Sequence, residues 1–248
     1  MAVPSKIVPL RIVITTGPSY APLDDVRRLT NLSTGELGTL LSEKFAANGH
    51  RVLCLRGEGA TFPAPHWGVE VVPFSTNDSL QAHLTRIVAR EDVNFVFHVA
   101  ALCDFTVRSV TNDQGEPIVL DKASSRDGAL RVTLDPAPKL IAGLRKLFPA
   151  SIVVGWKYEI DGTPLDVMEK GRAQMEECLT DACVINGRAY GTGFGVISRA
   201  GEKAHLPDKP ALSDFLVEWA EHMPVSGATP RQESFHALAS FMPLGPFV

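Results

Sequence analysis

The chain has 248 residues, 45% of them apolar, and a formal net charge of −4. That length buries a sizeable core, no uninterrupted apolar run is long enough to span a bilayer, and the slight acidity excludes the broad basic footprint of a nucleic-acid binder. Cys54, Cys103, Cys178 and Cys183 are scattered without CxxC spacing, which speaks against a zinc site or a disulfide framework.

In chain order, residues 1–6 carry no basic region followed by an apolar run, so a cytoplasmic location is expected. Apolar and β-branched runs predict strands over 11–16, 51–55, 69–73, 94–100, 151–156 and 182–186. Between and after them, helical periodicity and capping signals predict helices over 35–48, 77–90, 137–148, 165–179 and 212–222. Strands alternating with helices imply an α/β fold, a Rossmann-like doubly wound, mostly parallel sheet covered on both faces. Residues 104–135 interrupt the pattern with β-like pieces at 106–110, 118–120 and 130–134. That excursion is long enough to be functional or to pair with another subunit. We read 1–223 as a single nucleotide-binding domain and 224–248, rich in Pro, Gly, Ser and Phe, as a C-terminal tail.

The most informative segment runs from Ile12 to Gly38. A strand ends at Gly17, a turn-rich loop follows, and Asn31, Ser33, Thr34 and Gly35 lead into a helix. Small residues let backbone approach a ligand there, and the free N–H groups of the helix start favour an anion. Arg27 and Arg28 add positive side chains. Taken singly, Asn31 reads as a turn or cap residue, the arginines as solvated charges and Lys122 as a loop lysine. Asp104 and Phe105 lie just past the strand over 94–100, where open α/β sheets bind ligands. Hydride transfer is disfavoured: there is no G-x-G-x-x-G after the first strand. The cluster Gly191-Thr192-Gly193-Phe194-Gly195 lacks the third spacing. Tyr20, Tyr158 and Tyr190 are followed four residues later by Asp24, Gly162 and Phe194 rather than by lysine. A Walker loop is also absent.

Together these segments resemble the phosphopantothenoylcysteine synthetase family. Its opening T-S-G-G-T-x-x-P-[IL]-D-x-V-R-x-[IL]-x-N-x-S-[ST]-G-x-x-G reads T-T-G-P-S-Y-A-P-L-D-D-V-R-R-L-T-N-L-S-T-G-E-L-G from Thr15 to Gly38. Its A-A-V-[SA]-D-[FY] motif is matched by Ala100-Ala101-Leu102-Cys103-Asp104-Phe105, and its lysine segment by Asp121-Lys122-Ala123. The strand end V-G-F-x-x-E-T appears as Val154-Gly155-Trp156-Lys157-Tyr158-Glu159-Ile160, and the late Asn and G-F step as Asn186 and Gly193-Phe194. Pro18, Ser19, Trp156 and Gly187 depart from the pattern.

The resemblance implies a ligase that activates 4′-phosphopantothenate as an acyl nucleotide with ATP or CTP and Mg²⁺, then forms an amide with cysteine. By the same resemblance Asn31, Arg27 and Lys122 are catalytic: Asn31 at the acyl oxyanion, Arg27 on a phosphate or carboxylate, and Lys122 on the triphosphate. Gly17, Ser33, Thr34, Gly35, Ala100, Ala101, Asp104, Phe105, Trp156, Asn186 and Phe194 are expected to bind nucleotide, and no protein-held metal is expected. Lys122 to Ser125, Pro138-Lys139 and Trp156-Lys157 look more like the eukaryotic, ATP-using type. A homodimer joined through the excursion is implied, with neither nucleic acid nor membrane as partner. Many bacterial members carry a flavin-dependent decarboxylase in front; the short stretch before the first strand leads us to expect no FMN. A diverged nucleotide-binding homologue, motivated by Pro18 and Gly187, and an oxidoreductase are the competing readings.

Overall fold

A computed structural model describes residues 8–66, 68–88, 92–118, 128–199, 201 and 203–223. Parallel strands β1 (Arg11–Thr16), β4 (Arg51–Gly57), β5 (Val69–Phe74), β6 (Phe95–His98), β9 (Ile152–Tyr158) and β10 (Ala182–Asn186) form most of one sheet. Strands β11 (Phe194–Ser198) and β12 (Lys203–Leu206) extend it antiparallel, giving eight strands in the order β12-β11-β10-β9-β6-β1-β4-β5. The α/β expectation is borne out. The order reverses at β1, so its C-terminal end and that of β6 open a crevice between them.

Helices α1 (Glu36–Ala47) and α5 (Lys209–His222) share a core with Ile12, Ile14, Phe95 and Phe97 on one face. Helices α2 (Asn77–Val88) and α3 (Ile141–Leu147) share another with Val13, Val96 and Val153 on the opposite face. Helix α4 (Pro164–Cys178) packs beside Cys183, Ile185 and Ile197. Successive strand residues thus enter opposite cores, and strands buried on both faces must be apolar throughout. The first core is stapled by aromatics. Phe45 and Phe97 lie 5.2 Å apart, and Trp219 meets Phe95 edge-on at 6.0 Å. Each such side chain contributes about 1.5–3 kcal/mol on burial. No helix among the described residues is long and apolar enough to cross a membrane.

Several boundaries differ from the sequence reading. The glycine cluster around Gly193 leads into the β11–β12 hairpin, a pair of strands that the sequence reading did not include, with Gly193 at φ 79°. Helix α3 starts at Ile141, not 137, because Ala137 precedes Pro138 and is driven from helical geometry. Its N–H donates instead to Asp104 O at 2.8 Å. Helix α5 starts at Lys209, where the Asp208 side chain accepts from Ala211 N and Pro210 sits in the first turn. A small hairpin of β2 (Tyr20–Pro22) and β3 (Arg28–Thr30) rises from the loop after β1. Among the described residues the excursion forms a two-stranded ribbon, β7 (Phe105–Thr111) with β8 (Arg131–Pro136), separate from the main sheet. Part of the expected 118–120 piece and the whole 224–248 tail lie outside the described residues.

Candidate functional site

The crevice at the switch point is a cleft of about 720 Å³. Its floor is the chain that runs on past β1 and β6. Ala101 N–H donates to Gly17 O at 3.0 Å, and Ser19 N–H to Ala101 O at 3.2 Å, as a parallel bridge of Pro18 with Ala101. Pro18 therefore costs nothing here, because the bridge uses polar groups on either side of it. The Ser19 hydroxyl accepts from Cys103 N–H at 2.8 Å and donates to Asn77 Oδ1 at 2.7 Å, while Asn77 Nδ2 donates to Cys103 O at 2.9 Å. The Ser in place of the family's Thr keeps the hydroxyl that this network needs.

Asn31 follows β3 and reaches across the cleft, its Nδ2 donating to Leu102 O at 2.8 Å. An amide nitrogen carries two hydrogens. One fixes the side chain, and no hydrogen bond from the second is found among the described residues.

Ser33, Thr34 and Gly35 form the wall leading into α1. Gly35 has φ 78°, and a Cβ there would lie 2.9 Å from the Ala60 methyl; Gly17, at φ 76°, faces the same methyl at 2.8 Å. Both glycines are demanded by close packing as well as by φ. Thr16 Oγ1 donates to Gly35 O at 3.0 Å, tying the helix start to β1.

Most of the sequence-predicted site residues meet here. Asn31, Ser33, Thr34 and Gly35 line the cleft with Ala100, Ala101 and Asp104. Trp156, Asn186 and Phe194 close its far side, at the ends of β9 and β10 and the start of β11. Gly17 underlies the floor, and the half-exposed Phe105 opens the ribbon; neither lines the cleft. Arg27 is not brought in either: its guanidinium is bidentate to Asp24 Oδ2, at 2.8 and 2.5 Å, in the turn of the β2–β3 hairpin. Arg28 lies over the Tyr20 ring at 4.6 Å. Lys122 falls outside the described residues.

The cleft also gathers lysines to which the sequence reading gave no site role. Lys139, Lys157 and Lys209 give it positive charge. Lys157 pairs with Glu159 at 3.2 Å and Lys209 pairs with Glu36. The Lys170 ammonium, then Lys157, hold the Glu159 carboxyl below its usual range. Trp156 Nε1 and Asn186 Oδ1 are shielded from solvent and have no hydrogen-bond partner among the described residues. A buried donor and a buried acceptor left open cost free energy unless a ligand or water meets them. Among the described residues no three His, Cys, Asp or Glu side chains gather to cage a metal.

His98 ends β6 in the cleft wall, with burial pushing its pKa down to about 4. In the unfolded chain it titrates near ~6.5, so as pH falls the unfolded state takes the proton first. His98 thus withdraws stability between about pH 6.5 and 4, by about 3 kcal/mol in total. Urea unfolding across that range is expected to show this slope in the natural chain and to lose it in His98→Asn.

The family described as the DNA/pantothenate metabolism flavoprotein C-terminal domain matches residues 8–209. The chain belongs to this family. The motif-based resemblance is borne out at that level. Coenzyme A biosynthesis bifunctional protein CoaBC of Thermococcus kodakarensis is 24% identical over 228 residues, covering 89% of this chain and 53% of that protein. The Bacillus subtilis CoaBC is 26% identical over 204 residues, covering 79% and 47%. The chain thus spans about half the length of the curated relatives it matches. The DNA/pantothenate metabolism flavoprotein from Streptococcus pneumoniae shares the fold, with TM-score 0.73 at 22% identity over 84% of this chain and 97% of that one. So does a Cab2 H337A mutant in complex with phosphopantothenate-cysteine, with TM-score 0.67 at 19% identity over 85% of each chain.

Proposed function

We propose that the chain is a phosphopantothenate–cysteine ligase. The observation that carries this reading is the convergence of four separate motif segments, from Asn31 to Phe194, on one cleft lined by three lysines. In the first step the carboxylate of 4′-phosphopantothenate attacks the α-phosphorus of ATP or CTP, forming an acyl nucleotide and releasing pyrophosphate. The cysteine amine then attacks the acyl carbon and expels the nucleoside monophosphate. The first step brings two anions together, so positioning and neutralisation supply most of its rate. Lys139, Lys157 and Lys209 offer that charge beside the wall of Ser33, Thr34 and Gly35. Magnesium carried on the triphosphate would offset more of it.

Asn31 would direct its second N–H at the acyl oxygen. Arg27 would exchange Asp24 for a substrate anion, and Lys122 would reach the triphosphate. The orphaned Trp156 Nε1 and Asn186 Oδ1 suit the donor and acceptor edge of a nucleobase, with Phe194 against its face; adenine and cytosine both present such an edge. The ribbon leaves Phe105, Val132 and Leu134 exposed, which favours its use in a homodimer.

The test is pyrophosphate release by the purified chain with Mg²⁺, 4′-phosphopantothenate and cysteine, run with ATP and CTP in parallel. Release that requires phosphopantothenate is expected with at least one nucleotide. Nucleotide binding without release would instead mark a diverged homologue.

A further inference from the structure

Thr15 and His98 stand opposite each other on β1 and β6, at the point where the strand order reverses. Both are buried, and Thr15 Oγ1 lies 2.9 Å from His98 Nδ1. The same hydroxyl oxygen accepts from Ala100 N–H at 3.3 Å. Among the described residues, Nδ1 is the acceptor its proton can reach. With the oxygen already accepting from Ala100 N–H, the geometry favours a hydroxyl that donates to Nδ1, which would put the ring proton on Nε2.

The other buried histidine makes a useful contrast. His50 uses both ring nitrogens inside the protein, one with Leu10 N at 3.2 Å and one with Glu221 Oε1 at 3.1 Å. His98 uses only one. No hydrogen bond from its Nε2 is found among the described residues, and His98 is one of the residues that line the cleft.

We propose that His98 is a substrate-contacting residue, whose Nε2–H, set in that tautomer by Thr15, donates a hydrogen bond to an anionic oxygen of the bound substrate. Thr15 is its positioning residue. A neutral donor orients an anion without forming an ion pair that must later be broken, and burial keeps this ring neutral. Lysines supply the charge elsewhere in the cleft, so His98 supplies direction. The inference rests on the ligase reading only for the identity of the ligand.

Long-range ¹H–¹⁵N NMR of the imidazole in the full chain tests it without turnover. The natural chain is expected to show the Nε2–H tautomer. Thr15→Val should move it toward Nδ1–H, and Thr15→Ser should restore it. Titration with 4′-phosphopantothenate, ATP and CTP separately then reads the contact: a shift of the Nε2–H signal with phosphopantothenate assigns the acyl substrate, and one with a triphosphate assigns the nucleotide. An Nδ1–H tautomer, or no shift with any of the three, overturns the proposal whether or not the protein releases pyrophosphate. Where release is measured, His98→Ala should lower kcat about 10–100-fold, the effect of one hydrogen bond to a charged group. His98→Gln should recover part of it, and an unchanged kcat in His98→Ala also overturns the proposal.

Discussion

Asn31→Ala is expected to lower the rate of pyrophosphate release by about 10²–10³-fold, the usual cost of losing one oxyanion donor. Nucleotide affinity should change only a few-fold. The asymmetry follows from where the amide sits. Its Nδ2 is held by Leu102 O at 2.8 Å, a carbonyl in the floor network of Ser19, Asn77 and Cys103. The second N–H is thereby fixed before any ligand arrives, and a preorganised donor counts most where charge develops. The positive charges of Lys139 and Lys157, and the open groups of Trp156 and Asn186 that we propose face the base, share no hydrogen bond with Asn31 among the described residues. Isothermal titration with each nucleotide, beside single-turnover pyrophosphate release, separates the two effects. Turnover like that of the natural chain would remove Asn31 from its role, and a parallel collapse of binding would make it a scaffold for the cleft. Asn31→Asp adds a sharper comparison. It keeps the shape but puts an acceptor where the donor was, so it should be no better than alanine.

The strands and helices were legible because burial on both faces leaves continuous apolar runs, as in 11–16 and 182–186. The β11–β12 hairpin was not, since Gly193 and Gly195 read locally as a loop. What makes Gly195 part of a strand is its pairing with Ile185 on one side and His205 on the other, and close packing keeps it glycine, since a Cβ there would lie 2.7 Å from Ile185 Cγ1. The site was legible where a motif carried it, as at Asn31, Asp104 and Asn186. It was not legible where chemistry depends on which side chains meet. Asn77 reads as a helix cap, but its amide turns to the Cys103 carbonyl. His98 reads as one more residue of an apolar strand, and only its pairing with Thr15 across β1 gives it a direction. Arg27 shows the reverse: its spacing is right, yet the nearest carboxylate, on Asp24, holds it in the hairpin.

Restoring the family's aspartate in Gly187→Asp is expected to destabilise the protein rather than improve it, by roughly 2–5 kcal/mol from overpacking and left-handed strain combined. Gly187 has φ 112°, and a Cβ built on it would lie 2.2 Å from Glu159 O and 2.8 Å from Glu159 N. Both are backbone atoms, so no side chain can swing aside. They are also committed, with Glu159 N–H donating to Asn186 O at 3.0 Å and Glu159 O accepting from Ala189 N–H at 3.1 Å. Relief would have to part the ends of β9 and β10, which carry Trp156, Lys157 and Asn186 into the cleft. The melting temperature should fall by about 10 °C for a chain of this size, with nucleotide affinity falling alongside it. Gly187→Ala should lose nearly as much, because the clash begins at Cβ. The control is Gly191→Ala. Gly191 also has positive φ, 103°, but a Cβ there meets nothing within 4 Å. It should cost only the backbone term, about 1–2 kcal/mol, so the difference between the two alanine variants measures the steric contact alone. Equal losses would mean that φ, not the approach of Glu159, selects the glycine after Asn186.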